Sequence, residues 1–259
     1  FPEYFFYTDN HSGVSKIIDS DDNFIPDLKS LDSNINSKTK AVIINSPNNP
    51  SGIVYDDNFY KEFSEILKKH ETLLNREIFV ISDEPYRRII FDDLDCPNIL
   101  DFHDNTIVAS SFSKDWAIRG ERIGYLGISP NIKNTEILMD GLVFANRVLG
   151  FVNAPAFMQR AISNILFNTV NIEEYLLRRN FLCDELDKLG YEFIIPKGAF
   201  YLFPKSPLDD DISFTKLLKE NNVLVVPGSG FGKKGYFRIS FCVDWDSIKG
   251  SISGFEKAI

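Results

Sequence analysis

The chain alternates between short apolar runs rich in β-branched residues and longer stretches that mix charged and apolar positions. Fully apolar runs such as Ala41-Val42-Ile43-Ile44 are typical of strands covered on both faces. The charged stretch at 56–69 has helical spacing. This alternation predicts an α/β domain with a largely parallel sheet. The predicted strands lie at 4–8, 41–45, 78–82, 106–110 and 123–128.

The second half of the chain has a different pattern. Residues 132–189 are mainly helical in their spacing, with a break around 150–155. Beyond Gly190, which suits a helix C-cap, a helix near 214–221 lies among predicted strands at 193–195, 200–203, 223–226 and 236–242. We therefore expect a large domain over 1–170, followed by a linker helix and a small α+β domain over 171–259.

Composition narrows the class of protein. The 259 residues are 44% hydrophobic, which suffices for a substantial core. Acidic residues outnumber basic ones, 37 to 28, and the net charge of −9 disfavours a nucleic-acid partner. The three cysteines are far apart and fit no metal or redox motif, and no apolar run approaches the length of a membrane span. These features predict a cytoplasmic protein without a metal or a membrane partner.

Two polar loops follow predicted strands in the first half of the chain. Asn45-Ser46-Pro47-Asn48-Asn49-Pro50-Ser51-Gly52 is a rigid turn with amide side chains, and an ordinary turn is its alternative interpretation. Asp83-Glu84-Pro85-Tyr86 places an acid at the end of a buried strand, where Asp83 could equally cap a helix. Ligands of parallel α/β sheets bind at such strand ends.

Two further segments carry basic groups. In Ser111-Phe112-Ser113-Lys114, followed by Arg122, two hydroxyls, an amine and a guanidinium offer several donors to a phosphate. A solvated surface lysine is the alternative. Arg238 lies within a predicted strand, where it could be an exposed residue or could bind a carboxylate through both guanidinium nitrogens.

Taken in order, these segments resemble those of the class I/II aminotransferases, which are fold-type I enzymes dependent on pyridoxal 5'-phosphate (PLP), with aspartate aminotransferase as the nearest type. The resemblance covers nearly the whole chain. It implies a mostly parallel large domain of the seven-stranded type with a smaller C-terminal α+β domain. The motifs that carry it are Asn-Asn-Pro-Ser-Gly at 48–52, Ser-Asp-Glu-Pro-Tyr at 82–86, Ser-Phe-Ser-Lys at 111–114, Gly-Glu-Arg-Ile-Gly at 120–124, Gly-Ala-Phe-Tyr at 198–201, Val-Pro-Gly-Ser at 226–229 and Phe-Arg-Ile-Ser at 237–240.

The resemblance implies a catalytic role for three residues. Lys114 would hold the cofactor as a Schiff base and then move the α-proton as a general base. Asp83 would keep the pyridine nitrogen protonated. Tyr86, together with Asn49, would hydrogen-bond the phenolate oxygen of the cofactor.

It also implies two anion sites. Ser111, Ser113 and Arg122 would bind the cofactor phosphate. Arg238 would pair with the α-carboxylate of the substrate, which Asn49 would also contact.

The activity implied is transfer of an amino group between an amino acid and a 2-oxo acid, with aspartate as the first candidate donor, in a homodimer. Two alternatives stay open: a PLP-dependent lyase on the same scaffold, and a PLP-sensing effector domain of a transcriptional regulator. Family members carry roughly one hundred further residues before the position of Phe1. We therefore expect that an N-terminal segment is missing and that this chain alone is a weak or inactive enzyme.

Overall fold

The computed structural model describes residues 1–259 and consists of nine α-helices and seven strands, joined in part by short 3-10 turns. The helices are α1 Glu3–Asp9, α2 Leu28–Asn34, α3 Asp57–Leu74, α4 Phe112–Asp115, α5 Thr135–Val148, α6 Ala156–Ser163, α7 Ile172–Lys188, α8 Asp211–Glu220 and α9 Trp245–Glu256. The strands are β1 Ala41–Asn45, β2 Phe79–Asp83, β3 Thr106–Ser111, β4 Gly124–Ile128, β5 Tyr201–Leu202, β6 Val226–Pro227 and β7 Phe237–Ser240.

The larger sheet has the strand order β1-β2-β3-β4. The first three strands are parallel and β4 runs antiparallel to β3. This arrangement confirms the α/β class with a mostly parallel sheet. Within these residues the sheet has four strands, where the resemblance implied the seven-stranded type. Parallel pairing brings the carboxyl ends of β1, β2 and β3 to one edge.

The smaller sheet is antiparallel, with the order β5-β7-β6, and it lies in the part of the chain that also forms α7, α8 and α9. The helix predicted near 214–221 is confirmed as α8. The strand predicted at 193–195 is wrong, because those residues are irregular, and of the strand predicted at 223–226 only Val226 pairs with a neighbour.

Two large hydrophobic clusters form the interior. One packs α2 and α3 against the larger sheet and also includes Phe203 from the C-terminal part. The other is formed mainly by residues 182–258, and it includes Tyr86, Ile89 and Phe91 from the loop after β2. Because each cluster takes residues from both sides of position 170, the domain boundary at 170/171 stays a prediction.

Helix α3 shows how local signals fix one layer of the fold. The Asp56 side chain caps its first turn by accepting a hydrogen bond from the backbone N–H of Phe59 at 2.8 Å. At its other end Asn75 takes a left-handed conformation, with φ of 49°. Phe63 and Leu67 are fully buried on its inner face, so the helix covers the sheet that carries the polar loops.

The first segment differs from its prediction. The aromatic run at 4–8 was expected to be a strand because such residues favour extended structure, but residues 3–9 form α1. Pro2, with φ of −56°, begins the helix, and Glu3 lies in its first turn, where a negative charge is favourable. A strand also needs a neighbouring strand to pair with, and none lies beside this segment.

No helix in the structure is both long enough and apolar enough to cross a membrane.

Candidate active site

The carboxyl ends of the three parallel strands place the first group of polar residues. Asn45 ends β1 directly opposite Asp83, which ends β2. The Asn45 amide donates to the Asp83 carbonyl oxygen at 2.7 Å, and its own oxygen accepts from the backbone N–H of Asn49 at 2.8 Å. Asn45 therefore fixes the Asn49 loop to the end of β2. It was not among the predicted site residues, although an amide at the end of a buried strand is a signal for such a role.

Lys114 lies on α4, the single helical turn that directly follows β3. Its amine is 5.9 Å from the centre of the Tyr86 ring and 6.0 Å from that of Phe200. No carboxylate lies within 4 Å of it, whereas the buried Arg179 and the half-buried Arg87 and Arg178 each have one.

The surroundings of Lys114 favour its neutral form. Partial burial lowers the pKa of Lys114, and the positive charges of Arg119, Arg238 and Arg122 lower it further, against a smaller opposing effect of Cys242. A neutral amine is the form that can attack a carbonyl carbon or accept a proton.

Asp83 is half-buried and has one direct side-chain partner, the hydroxyl of Tyr4, which donates to its Oδ2. Burial raises the pKa of Asp83, while the Tyr4 hydrogen bond opposes that rise. The sequence did not indicate Tyr4 as a site residue, because its segment was predicted to be a strand. Only the fold brings α1 to the end of β2.

Tyr86 is buried, and its hydroxyl lies 3.1 Å from that of Tyr201 on β5. Burial is the main reason that the pKa of Tyr86 is raised well above that of a free tyrosine, with the Tyr201 hydroxyl adding to it. The Tyr86 side chain is therefore a protonated hydroxyl and can donate a hydrogen bond to an anionic oxygen.

Arg238 extends from β7 toward the Asn49 loop. Its Nη1 donates to Asn49 Oδ1 at 2.9 Å, so the two residues predicted to share a substrate carboxylate are in direct contact. The guanidinium carbon lies 4.4 Å from the centre of the Tyr201 ring and 4.7 Å from that of Phe231. Its Nε is buried without a hydrogen-bond partner, and no carboxylate pairs with it. The guanidinium therefore lies between two aromatic rings and has N–H groups available to bind a ligand.

The predicted phosphate residues lie around the start of α4. Ser111 is the residue before α4 and makes no side-chain capping bond, and the Ser113 hydroxyl has no hydrogen-bond partner in the protein. Arg122 is exposed with a left-handed φ of 51°, and its Nη1 donates to the Arg119 carbonyl oxygen at 3.2 Å. No direct contact joins these three side chains, but their donors are largely free for an anion.

Gly124 allows β4 to approach the end of β3 closely. It pairs with Ser111 across β3 and β4, and a Cβ at this position would lie 2.5 Å from the Ser110 carbonyl oxygen and 3.1 Å from the Ser111 Cα. Any larger residue would push β4 away from the strand end that leads into Lys114.

These side chains fit a cofactor with a phosphate, an electrophilic carbon and a basic ring nitrogen. Lys114 and Arg238 have unused donors, and the Arg238 Nε is a buried donor without a partner. Asp83 supplies a carboxylate of which Oδ1 accepts no protein hydrogen bond. The donor set therefore matches PLP, the cofactor that the motifs implied.

Comparison with known proteins gives the same assignment. A family model described as "Aminotransferase class I and II" matches residues 10–249. The chain is 34% identical over 257 residues to a probable aspartate aminotransferase of Methanocaldococcus jannaschii, covering 96% of this chain and 66% of that protein. It is 32% identical over 237 residues to an aspartate aminotransferase of Thermotoga maritima, covering 90% and 60%.

A solved aminotransferase structure from Eubacterium rectale superposes with a TM-score of 0.95 at 39% identity, covering all of this chain and 65% of that one. The chain thus spans about 60–66% of the length of these proteins. Aspartate aminotransferase-like enzymes are PLP-dependent, in agreement with the donor set of the site. The chain belongs to the class I and II aminotransferase family.

Proposed function

We propose that this protein is a PLP-dependent aminotransferase that moves an amino group between an amino acid and a 2-oxo acid, with aspartate as the first candidate donor. The observation that carries the proposal is the Lys114 amine, which is half-buried, has no acidic partner and lies beside Tyr86. The names of the relatives support a transaminase over a lyase or a regulatory effector domain.

Lys114 would bind the cofactor covalently and then act on the substrate α-proton. Both roles use the unprotonated amine, and the burial and neighbouring cations that lower the pKa of Lys114 favour that form. When bound, PLP supplies an electron sink that stabilises the negative charge left on the α-carbon.

Asp83, Tyr86 and Asn49 would hold the ring of the cofactor. Asp83 would keep a proton on the pyridine nitrogen, a role that requires the ionised carboxylate. Tyr86, whose raised pKa keeps its hydroxyl protonated, would donate to the phenolate oxygen, and the Asn49 amide would contact the same oxygen.

Ser111, Ser113 and Arg122 would bind the phosphate. A planar guanidinium and two hydroxyls can donate to different oxygens of one phosphate group. Ser111 precedes α4, Ser113 lies within it beside Lys114, and Arg122 follows it, so phosphate binding would place the reactive carbon near the amine.

Arg238 and Asn49 would bind the substrate α-carboxylate. Because the two side chains already contact one another, a carboxylate could take the Arg238 donors without large movement of the guanidinium. The rings of Tyr201 and Phe231 limit that movement.

The whole protein would act as a cytoplasmic homodimer. Three free cysteines support a reducing compartment. Exposed apolar side chains on α5 and α6 support a subunit interface.

The test is to incubate the purified chain with saturating PLP, reduce it with borohydride and locate the modified lysine by mass spectrometry. We expect modification of Lys114 in the parent chain and none at that site in Lys114→Ala. Lys219→Ala, at an exposed position on α8, is the matched control and should behave like the parent. Modification elsewhere with Lys114 untouched would overturn the proposal.

A further inference from the structure

Tyr4 is the one residue of α1 that reaches the site. Its hydroxyl donates to Asp83 Oδ2 across 79 positions of sequence. Asp83 Oδ1 accepts no hydrogen bond from any protein group. The two oxygens of this carboxylate therefore have different surroundings, one fixed by the protein and one available to a ligand.

The contact is not a by-product of core packing. Helix α1 buries none of its residues completely, and no side chain caps its first turn. The hydrogen bond from the Tyr4 hydroxyl to Asp83 is the only side-chain hydrogen bond from α1 to another element. Those of Thr8 and His11 stay within their own segment. The bond is thus the main polar attachment of α1 to the end of β2.

We propose that Tyr4 is a positioning residue for Asp83, which orients the carboxylate through Oδ2 and keeps it ionised so that Oδ1 can hold the proton on the pyridine nitrogen of the cofactor. This inference rests on the proposed function and adds a residue that none of the sequence motifs contains.

Asp83 needs such a partner because an ionised carboxylate is costly to bury. Burial raises the pKa of Asp83 and so favours its neutral form, which could not stabilise a protonated pyridine. The Tyr4 hydroxyl opposes that rise. The other titratable neighbours do not help: Glu84 is bonded to Ser82 and Arg87 and would add negative charge, and Tyr86 is a neutral phenol.

The first test needs no cofactor. The chain labelled with ¹³C at aspartate is titrated by NMR, with Asp83→Asn used to assign the resonance. In Tyr4→Phe, which removes only the hydroxyl, we expect the Asp83 midpoint to move to higher pH. Tyr7→Phe is the matched control, because Tyr7 lies one turn later on α1, is 59% exposed and has no side-chain hydrogen bond. An unchanged midpoint in Tyr4→Phe would overturn the proposal.

The second test follows the cofactor. With PLP labelled with ¹⁵N in its ring, Tyr4→Phe should show a smaller protonated fraction of the pyridine nitrogen than Tyr7→Phe at the same pH. Half-transamination should slow about tenfold, as expected for loss of one hydrogen bond to a charged group. If PLP forms no adduct with Lys114, the proposed function fails, while the Asp83 titration still decides the role of Tyr4. Equal protonated fractions in the two variants would contradict that role.

Discussion

At the scale of single residues, Arg238 has the most constrained side chain of the site. Its guanidinium lies between two aromatic rings, donates to Asn49 and keeps a buried Nε without a partner. A carboxylate bound by Arg238 would give this donor a partner.

Arg238→Lys should weaken binding of the amino donor by about tenfold or more, because an ammonium cannot replace a planar fork that binds two oxygens. Steady-state or half-reaction kinetics with aspartate would measure the change. Arg147→Lys, at an exposed position on α5, is the matched control and should leave donor binding unaltered. Unchanged donor affinity in Arg238→Lys would remove this residue from the substrate site.

The sequence indicated candidate site residues through local motifs, including Arg238 near the end of the chain, but it did not indicate which distant residues meet. Lys114, Asp83 and Asn49 lie in recognisable segments that follow strands. Tyr201 meets Tyr86 across 115 positions, and Tyr4 meets Asp83 across 79. Such contacts depend on how the elements pack, so no local pattern could have indicated them.

At the scale of elements, α3 combines a polar cap with a buried face. Its inner side chains pack against β1 and β2, the strands that end in the Asn49 loop and Asp83. Loss of packing between α3 and these strands would therefore lower the stability of the fold and weaken the support of the site residues at the strand ends.

Leu67→Ala should lower the free energy of unfolding by about 2–5 kcal/mol, because Leu67 is completely buried and its removal leaves a cavity. Urea denaturation followed by circular dichroism would measure the loss. Leu73→Ala is the control in the same helix, where the side chain is 71% exposed and the change should be small. A similar loss in both variants would show that helix propensity, and not burial, sets the effect.

The sequence predicted helices and strands correctly where a segment had a single clear hydrophobic pattern. The apolar runs that became β1, β2 and β3 and the amphipathic stretch that became α3 each gave a single consistent signal. The aromatic run of α1 gave a conflicting signal, because its residues favour strands while Pro2 and Glu3 favour the start of a helix. The structure shows that the segment is helical, in agreement with the signal from Pro2 and Glu3.

At the scale of the whole molecule, the apolar surface of α5 and α6 stands out. We define this α5–α6 surface by Phe144, Val148 and Phe157, which are 69%, 67% and 80% exposed. No residue of α5 is buried. Single exposed apolar residues are common, but several on two successive helices are typical of a surface that another chain covers.

We expect the chain to self-associate through the α5–α6 surface. The double variant Phe144→Glu/Phe157→Glu should shift sedimentation velocity profiles toward the monomer, since it places charges in an apolar interface. Leu224→Glu, which alters an 80% exposed apolar residue elsewhere on the molecule, is the control. A parent chain that sediments as a monomer at all concentrations would contradict the homodimer.

The contact between Arg238 and Asn49 spans 189 positions of sequence. The groups proposed for the cofactor come from residues 49–122, whereas Arg238, proposed to bind the donor carboxylate together with Asn49, comes from a separate sheet near the end of the chain. Because Arg238 contacts Asn49 and Tyr201 contacts Tyr86, the two parts are coupled at the site. An exchange of the C-terminal sheet between homologues would therefore have to keep both contacts if the cofactor groups are to stay in place.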